Sequence, residues 1–261
     1  MPELAEVESY KKYLEEAIFE SEIKCIQLLS PKVLKTNFET FESSLNGKRF
    51  IESRRIGKYL FLKTNAKAWV LLHFGMSGKP VFFRDDSLRP KHSRLVIEFI
   101  SGLKFAFVCM RMFGKVEWVS DIDSYLKIKK IGPDALQVDQ KTFNAYLSKR
   151  KSAIKTVLLQ QEGFAGIGNW IADEMLFQSD IFPKTPSNSL SQNQLSRLFK
   201  SMQSILTAAV KVNANLNELP SYFMVKHRWS DQVCPHCGQA LNKIVIGGRS
   251  SYFCNEKQTL P

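Results

Sequence analysis

Three residues at the start of the chain have the types and spacing to do chemistry: Pro2, Glu3 and Glu6. An initiator Met is normally removed before a small residue, which would leave Pro2 as a terminal secondary amine. An α-amino group has a reference pKa of about 7.7–8.0, so an appreciable fraction is neutral and nucleophilic near neutral pH. The positive end of a helix beginning here would favour the neutral amine further, and Glu3 and Glu6 would oppose that. A secondary amine that attacks an acetal-type carbon, such as a sugar C1′, can collapse directly to an iminium, the entry to Schiff-base chemistry. Two neighbouring carboxylates could handle the protons of such a step. Pro2 and Glu3 are also good helix-start residues, proline for the first turn and an acid for the dipole. Both readings fit these residues alone.

Two further clusters could bind rather than react. Gly163, Gly166 and Gly168 lie within six residues, closed by Asn169 at a helix N-cap position. A tight turn of this kind can present backbone N–H groups and an amide side chain to a phosphate, or can be an ordinary corner between packed helices. Near the C-terminus Cys234 and Cys237 form a C-x2-C knuckle, and Cys254 follows after sixteen intervening residues. A second complete knuckle would read as a four-thiolate zinc site, but Lys257 stands at the fourth position. A three-thiolate zinc site and a metal-free hairpin held by packing both fit.

Those residues need elements to hold them. Leu4, Val7, Leu14, Ala17 and Ile18 form a helical stripe across roughly 3–20. Short β-like runs follow at Ile23–Leu29, Tyr59–Lys63, Trp69–His73, Val81–Phe83, Arg94–Ile100, Leu103–Val108 and Val116–Val119, separated by turn signals. Many short strands at this spacing predict a β-sandwich or barrel. Beyond Asp121 the basic connector Lys127–Lys130 leads into helical patterns at Thr142–Leu147, Ser152–Gln160, Asn169–Phe177 and Ser191–Val212. A hairpin across Gly247-Gly248 completes a small C-terminal module. The fold class expected is α+β, with three parts: 1–123 as N-terminal helix and sandwich, 131–220 as a helical domain, and 221–261 as a loop and finger-like hairpin.

Composition narrows the partner. The 261 residues carry 37 Lys+Arg against 25 Asp+Glu, a net charge of +12, which favours a polyanion without choosing one. The excess is clustered: Lys48, Arg49, Arg54, Arg55, Lys58, Lys63 and Lys67 face only Glu52 between positions 46 and 67. Lys149–Lys151, Lys226–Arg228 and Arg249 add to it, a pattern that fits phosphate tracking in sum although each cluster alone fits a solvated face. No apolar run approaches the roughly 18 residues of a membrane span. The acidic N-terminus offers no basic n-region of a secretory signal. Five cysteines, two of them isolated, do not form a disulfide framework and fit a reduced, intracellular setting.

Taken in order, these segments resemble the bacterial formamidopyrimidine-DNA glycosylases and endonuclease VIII proteins. Residues 2–8 (PELAEVE) look like that family's P-E-L-P-E-V-E opening, and 55–60 (RIGKYL) like its R-x-G-K-Y-L stretch. Residues 75–78 (GMSG) and 111–114 (RMFG) are similar to its G-M-S-G and R-x-F-G segments. Residues 165–169 (AGIGN) resemble the turn of its helix-two-turn-helix, and 248–254 its finger hairpin. The resemblance implies a bifunctional glycosylase and abasic-site lyase acting on oxidised bases in damaged double-stranded DNA, as a cytoplasmic, nucleoid-associated monomer with structural Zn2+.

It also implies roles. Pro2 would attack C1′, Glu3 would protonate the opening deoxyribose, and Lys58 would hold phosphates beside the lesion and assist catalysis. Glu6 would anchor the N-terminal helix near the base pocket; Asn169 and Arg249 would clamp the backbone. Met76, Arg111 and Phe113 would fill the gap left by a flipped-out base, because the sugar carbon is unreachable in a stacked duplex. Cys234, Cys237 and Cys254 would hold the metal. The chain departs from the family pattern at Ala5 (usually Pro), Cys109 (usually Asp), Ile171 (usually Tyr) and Lys257 (usually Cys). Oxidised purines are the expected substrates; an oxidised-pyrimidine enzyme of the same family is the alternative. A non-catalytic damaged-DNA-binding paralogue and a basic zinc-finger transcription factor are the rivals from other classes.

Overall fold

The alternation of apolar residues in 59–73 and 93–109 becomes two antiparallel sheets in the computed structural model, which describes residues 1–66, 68–228 and 232–259. Lys67 of the basic stretch, residues 229–231 of the loop, and residues 260–261 lie outside the described residues. The chain divides into two compact units, Met1–Pro2 with Glu6–Lys129, and Glu3–Ala5 with Lys130–Pro261.

In the first unit helix α1 (Leu4–Ile18) precedes eight strands: β1 (Ile23–Leu28), β2 (Phe50–Ile56), β3 (Tyr59–Thr64), β4 (Trp69–His73), β5 (Gly78–Phe83), β6 (Ser93–Phe99), β7 (Lys104–Cys109) and β8 (Lys115–Val119). One sheet has the order β1-β6-β7-β5 and the other β2-β3-β4-β8. Their inward residues share one core: Leu95, Ile97, Phe105 and Phe107 from the first sheet, Leu60, Leu62, Val70, Leu72 and Val116 from the second. Val7, Leu14 and Ile18 of α1 join it. Of the sandwich and the barrel that the strand spacing allows, the two sheets form the sandwich, with the expected N-terminal helix.

Two elements of this unit escape a reading of hydrophobic pattern. Strand β2 is an edge strand with only Phe50 and Ile56 buried, so it shows no apolar run. Helix α2 (Phe38–Leu45) buries only Phe41 and Leu45, too little for a visible stripe. It is started by the Asn37 side chain, which accepts from the Thr40 N–H. Helix α3 (Ile122–Ile128), capped by Asp121, occupies the start of the stretch expected to be a connector.

The second unit is helical, with α4 (Gln140–Ser148), α5 (Ile154–Leu158), α6 (Asn169–Gln178), α7 (Gln192–Lys211) and α8 (Met224–His227), and it ends in the hairpin β9 (Asn242–Ile246) and β10 (Arg249–Phe253). Helix α7 begins with a capping box between Ser191 and Gln194 and packs on α6. Leu195, Leu198, Met202, Ile205, Leu206 and Ala209 of α7 meet Ile171, Ala172, Met175 and Leu176 of α6 in the core, with Leu4 and Ala5 in the same cluster. Helix α5 is shorter than the 152–160 pattern suggests, because Leu159 and the residues after it already turn toward α6. No helix among the described residues is long and apolar enough to cross a membrane.

Candidate active site

The turn between α5 and α6 is built around one glutamine. Gln161 Nε2 donates to the carbonyls of Leu159 (3.0 Å) and Ile167 (2.9 Å), and its Oε1 accepts from Gly166 N–H at 3.1 Å. Gly166 has φ +111°, and a β-carbon there would lie 2.6 Å from Leu4 Cδ1. Its carbonyl accepts the Leu4 N–H at 3.1 Å, so Leu4 is held on this turn within the second unit.

Helix α6 begins differently from the sequence expectation. Its N-cap is Gly168, with no side-chain cap, and Asn169 is the first helical residue. The open N–H groups of the first turn find a partner distant in sequence. Glu3, buried, accepts from Trp170 N–H at 3.1 Å (Oε1) and Ile171 N–H at 3.3 Å (Oε2). The carboxylate thus does the work of a capping side chain on a helix whose own cap position is glycine.

With the capping role taken, the Asn169 side chain turns to the finger hairpin, where Nδ2 donates to the Ser250 carbonyl at 3.0 Å. Lys155 Nζ donates to the same carbonyl at 2.8 Å. Lys155 also forms a fully buried ion pair with Asp173 (2.6 Å), which accepts from Ser251 Oγ at 3.0 Å and faces Arg228 at 3.5 Å. Burial pulls the Lys155 ammonium down and pushes the Asp173 carboxyl up, and their mutual attraction opposes both shifts. Arg249 is exposed and adjoins Ser250, at the end of a two-residue turn in which Gly247 (φ 56°) and Gly248 (φ 74°) take the left-handed conformations of a type I′ hairpin. Glu3 and Asn169 therefore meet in the first turn of α6, and Asn169 reaches Ser250, the chain neighbour of Arg249. Lys155, Asp173 and Ser250 are the residues the sequence reading missed; the signal was a lysine inside an apolar helical run, where only a buried partner makes it tolerable.

Beside this network Glu174 is wholly buried and accepts from Met224 N–H (3.2 Å), Val225 N–H (2.9 Å) and Gln178 Nε2 (2.8 Å), holding the start of α8. Burial pushes its carboxyl up to about 7 against these hydrogen bonds.

The first unit presents the other predicted residues. Pro2 is half-buried behind an exposed Met1. Lys58 is the second residue of the β2–β3 turn, where Gly57 takes φ +58°. That turn is held by Arg55, whose Nε donates to Glu8 of α1 at 2.5 Å and whose Nη1 donates to the Gly57 carbonyl at 3.1 Å. Burial first, then Glu6, push the Tyr10 hydroxyl up to about 12, and Tyr10 packs edge-on against Phe74. His73, unmarked in the sequence reading, lies opposite both Tyr59 and Lys115 in the sheet. Burial first, then Lys115 and Lys58, hold its imidazole down to about 4, and its Nδ1 accepts from Gly75 N–H at 3.3 Å. A neutral ring that can still donate through its other nitrogen suits a phosphate oxygen.

Met76, Arg111 and Phe113 come together at one tip. A β-carbon on Gly75 (φ +59°) would lie 2.4 Å from the Phe113 carbonyl carbon, so the 75–78 turn and the 110–114 loop abut. Ser77 Oγ accepts the Arg111 N–H at 3.1 Å, and the guanidinium lies 5.4 Å from the Phe113 ring centroid. Met76, Phe113 and Met110 are exposed there. Cys109 supports the loop from below: its buried thiol accepts Gly114 N–H at 3.3 Å, and its carbonyl accepts Arg94 Nε at 2.9 Å.

The thiols of Cys234, Cys237 and Cys254 lie within 4.8 Å of one another. Three sulfur donors gathered so closely at the base of a hairpin fit a structural zinc ion, which they would tie to the finger.

Comparison with known proteins matches these parts in turn. Residues 1–116 match the formamidopyrimidine-DNA glycosylase N-terminal domain, 131–220 its H2TH domain, and 231–255 the zinc finger found in formamidopyrimidine-DNA glycosylase and isoleucyl-tRNA synthetase. The formamidopyrimidine-DNA glycosylase of Mycoplasma mobile is 31% identical over the whole of both chains. That of Arabidopsis thaliana is 34% identical over all of this chain and 71% of its own. The Lactococcus lactis enzyme, solved with DNA containing an abasic site, superposes with a TM-score of 0.91 at 31% identity, covering 99% of this chain and 100% of that one. The same enzyme solved with DNA containing a formamidopyrimidine-dG superposes with a TM-score of 0.90. With sandwich, helix-two-turn-helix and finger all matched, this chain belongs to the formamidopyrimidine-DNA glycosylase family.

Proposed function

We propose that this protein excises oxidised purines, formamidopyrimidines and 8-oxoguanine among them, from duplex DNA and then cleaves the strand at the abasic site. The observation that carries the reading is the Pro2–Glu3 pair, with the Glu3 carboxylate fixed at the start of α6 next to Asn169, which reaches Ser250 beside Arg249. Removal of Met1 frees the Pro2 amine. Its nitrogen bonds to C1′ as the C1′–base bond breaks, and the departing base takes a proton. Glu3 protonates the ring oxygen as the deoxyribose opens, leaving an iminium at C1′. The iminium makes the C2′ proton acidic; its loss expels the 3′-phosphate, and a second elimination expels the 5′-phosphate. Hydrolysis of the iminium returns the amine, so the chemistry needs no redox partner.

Lys58, Asn169 and Arg249 hold the phosphates around the lesion, with His73 beside Lys58. Met76, Arg111 and Phe113 replace the flipped nucleotide in the stack, where unstacking costs a few kcal/mol. Cys234, Cys237 and Cys254 would hold a zinc ion, which would supply structure to the hairpin carrying Arg249. Three functional parts, 1–123, 131–220 and 221–261, share this work. The protein acts as a monomer, in the cytoplasm and on the nucleoid.

Borohydride trapping tests the reading. Met-processed protein with duplexes carrying an abasic site or a formamidopyrimidine should give a covalent adduct, and an oxidised-pyrimidine duplex a weaker one. Absence of any adduct, or an unchanged adduct after Pro2→Gly combined with N-terminal blocking, would overturn it.

A further inference from the structure

The finger is asymmetric: the first knuckle has both cysteines, and the second ends in Lys257. An ammonium has no lone pair to offer a metal, and this one is engaged elsewhere. Lys257 Nζ pairs with Asp180 and lies 5.4 Å from the Phe177 ring centroid. The second knuckle is nevertheless fully wound. Lys257 and Gln258 N–H groups donate to the Cys254 carbonyl at 3.3 and 2.8 Å. Gln258 Oε1 accepts the Cys254 N–H at 3.0 Å, while its Nε2 donates to the Ile181 carbonyl at 2.8 Å. The segment thus keeps its shape through bonds that do not depend on a fourth metal ligand.

Among the described residues, no His, Asp, Glu or further Cys joins the three thiols as a fourth donor. A cavity of about 270 Å³ opens beside Lys257, the residue at the second knuckle's fourth position. It is lined by Pro235 and His236 from inside the first knuckle, by Lys257, and by Phe177, Gln178 and Tyr222. Zinc sites closed by four protein ligands are structural, and three protein ligands leave a position for an outside donor.

We propose that zinc is held here by Cys234, Cys237 and Cys254 with its fourth position left to a small exogenous nitrogen or sulfur donor that enters through this cavity, Lys257 being kept off the metal by Asp180. The proposal rests on the reading of the three thiols as a zinc site. An imidazole enters as the neutral ring, and a low-molecular-weight thiol enters as thiolate with its proton released to the buffer. Lys257→Cys should close the position.

The full-length protein, its metal content measured, is exchanged with Co2+ and titrated with imidazole and with 2-mercaptoethanol while the visible ligand-field bands are followed. A saturable shift in the wild-type bands, absent in Lys257→Cys, is expected. Wild-type bands unmoved by either ligand would overturn the proposal, as would an equal shift in Lys257→Cys; the wild-type titration decides even if that variant does not fold. Metal content well below one per chain would instead overturn the zinc reading on which the proposal stands.

Discussion

The carboxylate of Glu3 lies so close to Gly168 that a β-carbon at position 168 would come within 2.0 Å of Glu3 Cδ. One residue provides the proton-handling group of the proposed reaction; the other is glycine because that group must sit on the end of α6. The two Glu3 hydrogen bonds, to Trp170 and Ile171, make the carboxylate proposed for the proton transfer a helix cap as well.

Gly168→Ala should therefore damage chemistry more than folding. Overpacking of this kind costs about 1–3 kcal/mol, which a thermal unfolding curve would register as a modest shift. The borohydride-trapping rate should fall by a much larger factor, because Glu3 must move. A variant with normal trapping and only reduced stability would show that the contact is packing alone.

Lys155→Met tests the buried tie between α5 and the hairpin. It leaves the Asp173 carboxylate without its closest cation in a fully buried site, a change that typically costs about 3–5 kcal/mol. Denaturant unfolding should show a loss of that order. The double variant Lys155→Met with Asp173→Asn should recover part of it, since the buried carboxylate charge is then gone while Arg228 still faces an amide oxygen. Failure of the double variant to recover would place the cost in packing.

Glu174 gives stability a pH dependence with a definite sign. Its folded carboxyl is raised from 4.5 to about 7, so the folded state holds more protons than the unfolded state between those values. Stability is then highest below about 4.5 from this group and is lost as pH rises through 7, by on the order of 3 kcal/mol. Glu174→Gln should flatten that slope across pH 5–7 in denaturant unfolding. His73 contributes the opposite trend: its folded pKa is lowered to about 4, so its contribution is present above about 6.5 and is lost as pH falls toward 4. His73→Gln in the same series separates the two.

Phosphate clamping predicts a salt signature. Affinity for duplex DNA with an abasic-site analogue should fall steeply with salt. Lys58→Ala or Arg249→Ala should each flatten the log–log slope by about one unit. A slope unchanged in either variant would remove that residue from the phosphate contacts.

Much of this was legible beforehand. Pro2, Glu3, the RIGKYL and GMSG segments and the glycines of the AGIGN turn read directly, because each rests on local spacing or backbone conformation. Strand β2 and helix α2 did not, since edge strands and thinly buried helices leave little periodic trace. Arg55, His73, Lys155 and Glu174 were in plain view without a visible role. Their partners, such as Glu8 for Arg55 and Val225 for Glu174, lie far away in the chain.

By itself, then, the sequence determined the α+β class, the family and the inventory of reactive groups, all properties carried by neighbours along the chain. Only the tertiary structure decided what those groups are tied to. Asn169 is the first residue of α6 rather than its cap because Glu3 takes the capping bonds, and its freed amide reaches Ser250 beside Arg249. The three thiols converge while Lys257 turns to Asp180. Hydrogen bonds and ion pairs across 77 or more residues obey proximity in space, and no spacing along the chain encodes it.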